Sequence, residues 1–354
     1  MIMSWKGVTL MKKYFINPNN KQYKANLHCH SNLSDGELSP EELKNAYKSR
    51  GYSILAITDH ERPCNHSDLS QEDFLLITGY EAYIRPSKIC RHNIFAPEIH
   101  LNLFAKEAEN EKCICFNDAC CKYVKNPLER LKIKKVGSKK IREYTTEYIN
   151  AFTKTAVDNG YLVSYNHPVW SMESEERILS YENIFSLEID NYSSWKINRI
   201  EGNCLLYDKI LLNKKGWFCH GGDDNHNHGD INNPLSSDSF GAFTMIMAEN
   251  LKYDSVISAM EKGEMYSSTG PVIKEISIEN GMVHIEYSNA CCILLYNGSK
   301  AVKRLDSLSC DLTKADLPLH ENSEYFRVSV IDGNGKTASS RGFMRNEWEE
   351  YLNV

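Results

Sequence analysis

The sequence predicts an α/β barrel followed by a small all-β domain. Three observations carry this. Between residue 24 and about residue 245, short apolar runs alternate with helix-like segments. Strands separated by helices imply parallel βαβ units, and six or seven of them suit a barrel better than an open sheet. Past Gly270-Pro271 the texture changes to short β-rich runs. The length, 354 residues, fits one large barrel or two domains and excludes a single small one. The expected division is a barrel over residues 1–270 and a β-sandwich-like domain over residues 271–354.

Residues 1–22 are polar and irregular, an arm expected to wrap the first strand. ANLHCHS follows as that strand. Pro40-Glu41-Glu42-Leu43 opens a helix, with Ser39 as N-cap and acids at its positive end, and Gly51 closes it. SILAIT (53–58) and FLLITG (74–79) are the next strands. Residues 144–159 are helical and stop at Gly160. YLVSYN, IFSLEID, WFCHGG and AFTMIMA continue the strand series. In the tail, VIKEISI, VHIEY, CCILLY, YFRVSVI and TASSRGF are separated by turns at Asn280-Gly281, Asn297-Gly298 and Asp332-Gly333-Asn334-Gly335, a spacing that suits a sandwich.

Composition narrows the function classes. With 42% hydrophobic and 25% charged residues the chain can build a core and is not a disordered polymer. Lys plus Arg is 41 against 47 Asp plus Glu, a net charge of −6, which gives no support for a nucleic-acid polymer as partner. No run of about 18 apolar residues is present, so no membrane partner is expected. The start has no apolar segment of signal-peptide length, so a cytoplasmic location with reduced thiols is expected for the 12 cysteines. Cys113, Cys115, Cys120 and Cys121 do not have a common metal-ligand spacing and read as packing residues. The basic stretch from Arg130 to Arg142 reads as a solvated loop and helix start, with anion capture as the functional option.

Chemistry gathers where strands end. Alternation in a strand puts His28 and His30 on one face, about 7 Å apart at Cα, with Cys29 on the other; two imidazoles so placed suit one metal. Asp224 and His226 repeat the spacing. Asp59-His60 caps the second strand, Glu81 follows the third, and His167 ends another, with Pro168 expected to hold it extended. Histidines and acids recurring at successive carboxyl ends mark the place where barrel enzymes build their sites.

The strings HCHSNLSDG, ITDH, GYEA, NHP and GDDNH, in this order, closely resemble the polymerase and histidinol phosphatase (PHP) superfamily of metal-dependent phosphoesterases, and MYSSTGPVIKEISI resembles its CehA-like branch. The resemblance covers about residues 20–345. It implies a distorted (β/α)7, TIM-like barrel holding two or three divalent ions. Carried over by motif, His28, His30 and Asp224 would bind the first metal, Glu81 would bridge to the second, His92 and His167 would complete the second, and Asp35, His60 and His226 would hold the third. His100, eight residues beyond His92, is the alternative to it. Asp223 and His228 are secondary candidates. Asp59, Glu81 and His226 are the expected catalytic groups, with Asp59 more suited to orienting a ligand than to being one.

Six imidazoles with three carboxylates suit zinc, iron or manganese alike. Three divalent ions would make the cleft cationic against the global −6, so a small phosphorylated substrate is expected, cleaved by a metal-bridging hydroxide. Arg62, Arg85, Arg91 and His66 are further candidates to hold phosphate. The rival readings are a carboxyl or carbamate ester hydrolase using the same ions and a non-catalytic metal-binding module.

Overall fold

The computed structural model describes residues 12–86, 93–118, 123–124, 126–200 and 202–352. The chain divides into two compact units, Lys21–Thr269 and a second made of Met1–Asn20 with Gly270–Val354.

In the larger unit, apolar strands become buried on both faces. Nine of them join into one sheet: β1 (Gln22–Asn26), β2 (Ile54–Ile57), β3 (Leu75–Ile84), β4 (Ile99–Ala105), β5 (Tyr161–Tyr165), β6 (Ser186–Asn191), β7 (Phe218–Gly222), β8 (Phe243–Met247) and β9 (Met265–Ser268). The order is β7-β6-β5-β4-β3-β2-β1-β8-β9. Pairs β1/β2, β2/β3, β5/β6 and β6/β7 are parallel. The expected run of parallel units is broken twice. β4 lies antiparallel between β3 and β5, and β8 lies antiparallel between β1 and β9. The fold is thus mixed α/β. Regular strand–helix alternation fails at the β2–β3 crossing, which contains only the short 3₁₀ turn Ser67–Leu69. The ladder itself is an open path, and β7 and β8 approach through a side chain. Thr244 Oγ1 accepts from Gly221 N at 3.1 Å and donates to Gly221 O at 2.7 Å.

Local signals behave as the residues dictate. Ser39 and Glu42 form a capping box on the helix Pro40–Ser49, and Gly51 follows it with φ +76°. In the helix Thr146–Asp158, Ile149, Phe152, Thr153 and Ala156 are buried, an i, i+3, i+4, i+7 face. One core cluster fills the amino-end half of the sheet: Ala25, Ile54, Leu75 and Ile77 pack with Val256 and Met260 of the helix Tyr253–Glu261. The carboxyl ends of the strands bury polar groups as well, among them His28, Asp59, Glu81 and Asn166.

In the smaller unit, Lys13–Ile16 pairs antiparallel with Ile273–Glu279, so the N-terminal segment is a strand of this unit instead of an arm on β1. That sheet continues through Met282–Ala290 to Leu312–Pro318, and Asn280 and Gly281, both with positive φ, form its tight hairpin. A second ladder orders Thr337–Ser340, Tyr325–Ile331, Cys292–Tyr296 and Lys303–Asp306, all antiparallel.

This unit holds an exception to the reduced thiols expected of the cysteines: Cys291 and Cys310 form a disulfide across a sequence separation of 19. Closing a loop of that size removes about 3 kcal/mol of unfolded-chain entropy. Cys310→Ser should therefore lower the stability of this unit by about that amount in non-reducing buffer. Thermal melts with and without dithiothreitol check it, and equal melting of native and variant protein without reductant would refute a stabilising bridge. Among the described residues no helix is long and apolar enough to cross a membrane.

Candidate metal centre

The site is assembled from strand ends. Beyond Asn26 the chain stays extended. Cys29 bridges to Asn225 and accepts from Thr58 N at 2.7 Å, which keeps Cys29 buried on one side and leaves His28 and His30 on the other. The two imidazoles meet with Nε2 atoms 3.3 Å apart. Residues 31–36 then fold back on His30. A Cβ at Gly36 would lie 2.3 Å from His30 O, so only glycine permits the return that brings Asp35 beside the histidines.

Asp59 governs that loop. Its carboxylate accepts from Ser31 N at 2.9 Å, Ser31 Oγ at 2.6 Å and Ser34 Oγ at 2.5 Å. Both oxygens of Asp59, expected among the catalytic groups and better suited to orienting a ligand than to being one, are thus committed to the loop. The next residue, His60, is aligned by a bridge between its backbone and that of Glu81.

Glu81 is the hub. Its Oε1 lies 3.2 Å from His28 Nε2, 3.1 Å from His100 Nδ1 and 3.3 Å from His167 Nε2. Its Oε2 lies 3.0 Å from His60 Nδ1 and 3.5 Å from His30 Nε2. Asp224 Oδ1 is 3.1 Å from Nε2 of both His28 and His30. Asp35 sits farther out, 3.7 Å from His30 Nδ1, 3.7 Å from His60 Nε2 and 3.8 Å from His226 Nε2. Four overlapping groups result, each with donor atoms within 4.8 Å of one another: His30, Asp35, His60 and His226; His28, Glu81 and His167; His28, His30 and Asp224; His60, Glu81 and His100.

These groups bring together eight of the nine ligand candidates. The ninth, His92, lies outside the described residues, as do Arg91, Cys120 and Cys121. His100 enters instead, from a strand that sequence reasoning did not find. β4 is antiparallel to β3, with His100 opposite Tyr83, so the start of β4 lies at the carboxyl end of β3. His167 has φ +25°, which corrects the expectation that Pro168 holds it extended, and Asp224 has φ +53°. Such conformations cost about 1–3 kcal/mol each and persist only where surroundings enforce them. Here His167 N donates to Glu188 at 3.0 Å, and Asp224 N to His28 O at 2.9 Å.

Other candidates fall away from the cluster. Asp223 accepts from the backbone N–H groups of Phe240, Gly241 and Ala242 and from Tyr47 Oη, a structural role, and burial pushes its pKa up to about 6. His228 is exposed beside Glu37, and Arg62 pairs with Glu129 at 3.1 Å. His66 is largely buried, and burial lowers its pKa. Cys113 and Cys115 are buried packing residues. Arg142, read as part of a solvated basic stretch, is buried against Glu61, with Nη2 and Oε2 2.7 Å apart.

The donors fit divalent cations. Glu81 and Asp224 are buried, which raises a carboxyl pKa, yet the surrounding histidines outweigh burial: His100 and His28 hold Glu81 well below its ordinary value, and His28, His30 and His167 do so for Asp224. Burial takes His60 down to about 3, so its imidazole is neutral, the form that can ligate. His226 is also lowered by burial, and its Nδ1, 3.0 Å from Asp224 O, is placed to donate there and leave Nε2 facing Asp35. His30 Nδ1 and His60 Nδ1 are buried beside carboxylates, 3.7 Å from Asp35 and 3.0 Å from Glu81, without an aligned hydrogen bond. Buried imidazole nitrogens and carboxylates that face one another without aligned hydrogen bonds are costly unless a cation joins them. The cluster opens onto a cleft of about 340 Å³, whose wall includes Arg85, Trp170, Ser193 and Ser194.

Comparison with known proteins adds four findings. Residues 26–185 match the PHP domain. A stretch of 38 residues is 50% identical to a 5'-3' exoribonuclease of Haemophilus influenzae, covering 11% of this chain and 14% of that protein. Among solved structures, a two-domain protein of Bacteroides vulgatus containing a predicted PHP-like metal-dependent phosphoesterase aligns over 96% of this chain and 91% of its own, at 14% identity and TM-score 0.44. An amidohydrolase of Chromobacterium violaceum aligns over 57% of this chain and 87% of its own, at 16% identity and TM-score 0.34.

Proposed function

The chain belongs to the PHP domain family through residues 26–185, and on that premise we propose that it is a metal-dependent hydrolase of phosphoester bonds. The observation that supports this most is the convergence of five imidazoles on Glu81 and Asp224, with a sixth, His226, beside Asp35, beneath an open cleft. His28, His30, Asp35, His60, Glu81, His167, Asp224 and His226, with His92 or His100, would hold two or three divalent ions, and the N/O donor set suits zinc, iron or manganese. Bound there, such ions would activate water and stabilise charge on a phosphoryl group.

The chain's own groups do the rest. Glu81 presents Oε1 to His28, His100 and His167 and Oε2 to His30 and His60, and so links the donor groups. Asp35 and His226 are the least buried of the ligands, at 27% and 22% side-chain exposure, and they face the cleft. Arg85 in the wall is paired with Glu98, so it would serve an anionic substrate through its remaining N–H donors and not as an uncompensated charge. We assign that substrate to small phosphorylated compounds, monoester or diester. The CehA-like assignment rests on the motifs of the sequence.

Turnover of p-nitrophenyl phosphate, its diester, nucleotides and short oligonucleotides by the metal-loaded protein is the direct test, with carboxyl and carbamate esters alongside. Hydrolysis of at least one phosphate ester, abolished by chelation and restored by a divalent ion, is expected. Hydrolysis of carboxyl or carbamate esters alone would overturn the reading in favour of its rival.

A further inference from the structure

We infer that Glu188, in the middle of β6, is the positioning residue that fixes the tautomer of His28 and the register of three ligands at once. This rests on the metal-binding reading above. Glu188 is wholly buried and is itself a member of none of the four donor groups. Its Oε1 lies 3.0 Å from His28 Nδ1. Its Oε2 accepts from His167 N at 3.0 Å and from Asn191 Nδ2 at 2.9 Å. The Asn191 amide also donates to Asp224 Oδ2 at 3.1 Å. One carboxylate therefore reaches His28 by its ring, His167 by its backbone and Asp224 through one amide.

The consequence is chemical. A carboxylate can only accept, so it holds the His28 proton on Nδ1 and leaves the Nε2 lone pair facing Glu81 and Asp224. The bond to His167 N anchors a residue with φ +25°, which would otherwise relax and withdraw its Nε2. The space is tailored to this arrangement. A Cβ at Gly222 would lie 2.8 Å from His28 Cβ and 2.9 Å from Glu188 Oε1.

An amide cannot replace the carboxylate. In Glu188→Gln the side chain keeps one acceptor oxygen and gains a donor. If the NH₂ faces His28, the imidazole must move its proton to Nε2, and the ligand atom is lost. If the NH₂ faces the other way, it opposes two donors, His167 N and Asn191 Nδ2. Both orientations damage the centre, although volume is unchanged and packing is kept.

The test is competition between the protein and a chromophoric chelator for zinc, with the visible spectrum of the cobalt(II)-loaded protein as second readout. Glu188→Gln is expected to bind its tightest ion about 10–100-fold more weakly and to shift the cobalt spectrum, while the metal-free melting temperature stays near native. Affinity within twofold of native with an unchanged spectrum overturns the inference. Should Glu188→Gln fail to fold, Asn191→Ala replaces it: a severalfold loss of affinity supports the relay and native affinity overturns it. A native protein that binds no ion overturns the metal reading as well. A native protein that binds ions while the variants match it overturns this inference alone.

Discussion

Glu81→Ala is expected to lose hydrolytic turnover by at least about a hundredfold and to hold fewer ions than the native chain. The magnitude follows from position. Partners one step removed from a metal typically cost 10–100-fold when removed. Glu81 is not one step removed; its two oxygens lie within 3.5 Å of five histidines. Its loss also leaves those imidazoles without their shared carboxylate. Steady-state kinetics with elemental analysis of the same preparation checks both halves. Turnover within tenfold of native would remove Glu81 from the centre. Parallel His92→Ala and His100→Ala variants identify the remaining ligand, and the geometry favours the larger effect at His100, whose Nδ1 lies 3.1 Å from Glu81.

Arg142→Met is expected to destabilise the larger unit by about 3–5 kcal/mol, the usual consequence of leaving one member of a buried ion pair alone. Glu61 and Arg142 are 0% and 2% exposed, and the guanidinium also donates to the carbonyls of Tyr83 at 2.8 Å, Ile114 at 3.1 Å and Cys115 at 3.3 Å. Glu61 adjoins His60, and its backbone N donates to Glu81 O at 2.8 Å. The pair thus ties the segment around residues 113–142 to the strand ends that carry two ligand candidates. For a unit of this size, about 2–4 °C of melting temperature per kcal/mol gives a fall of roughly 6–20 °C. The double change Glu61→Leu with Arg142→Met should recover much of it, because no charge is then stranded. A single variant melting within 2 °C of native would contradict the assignment.

The parts of the site legible in the sequence are those encoded by local spacing. His28 and His30, two apart in an extended segment, must share a face, and they do. Asp224 and His226 follow the same spacing, but a positive φ at Asp224 lets His226 reach Asp35 while Asp224 reaches His28. The helix at Pro40 was legible because its cap, its proline and its acids are contiguous. What was hidden is set by topology. His100 stands at the beginning of a strand, and a search of the carboxyl ends of parallel strands passes over it. Only the antiparallel pairing of β4 with β3 places it at the site. Glu188 is one of two acids in the otherwise largely apolar strand IFSLEID, a pattern that signals buried pairing. Arg142 looked like the last of a basic run. Its burial depends on Glu61, 81 positions earlier, and no local pattern reports that. Cys291 and Cys310 likewise pair only because two hairpins bring them together.

Elemental analysis of the purified, metal-supplemented protein tests the central claim most directly. The arrangement of donors around Glu81 predicts two or three divalent ions per chain, falling below the native number in Glu81→Ala. Fewer than one ion per chain in the native protein, after supplementation with zinc, iron and manganese in turn, would contradict it.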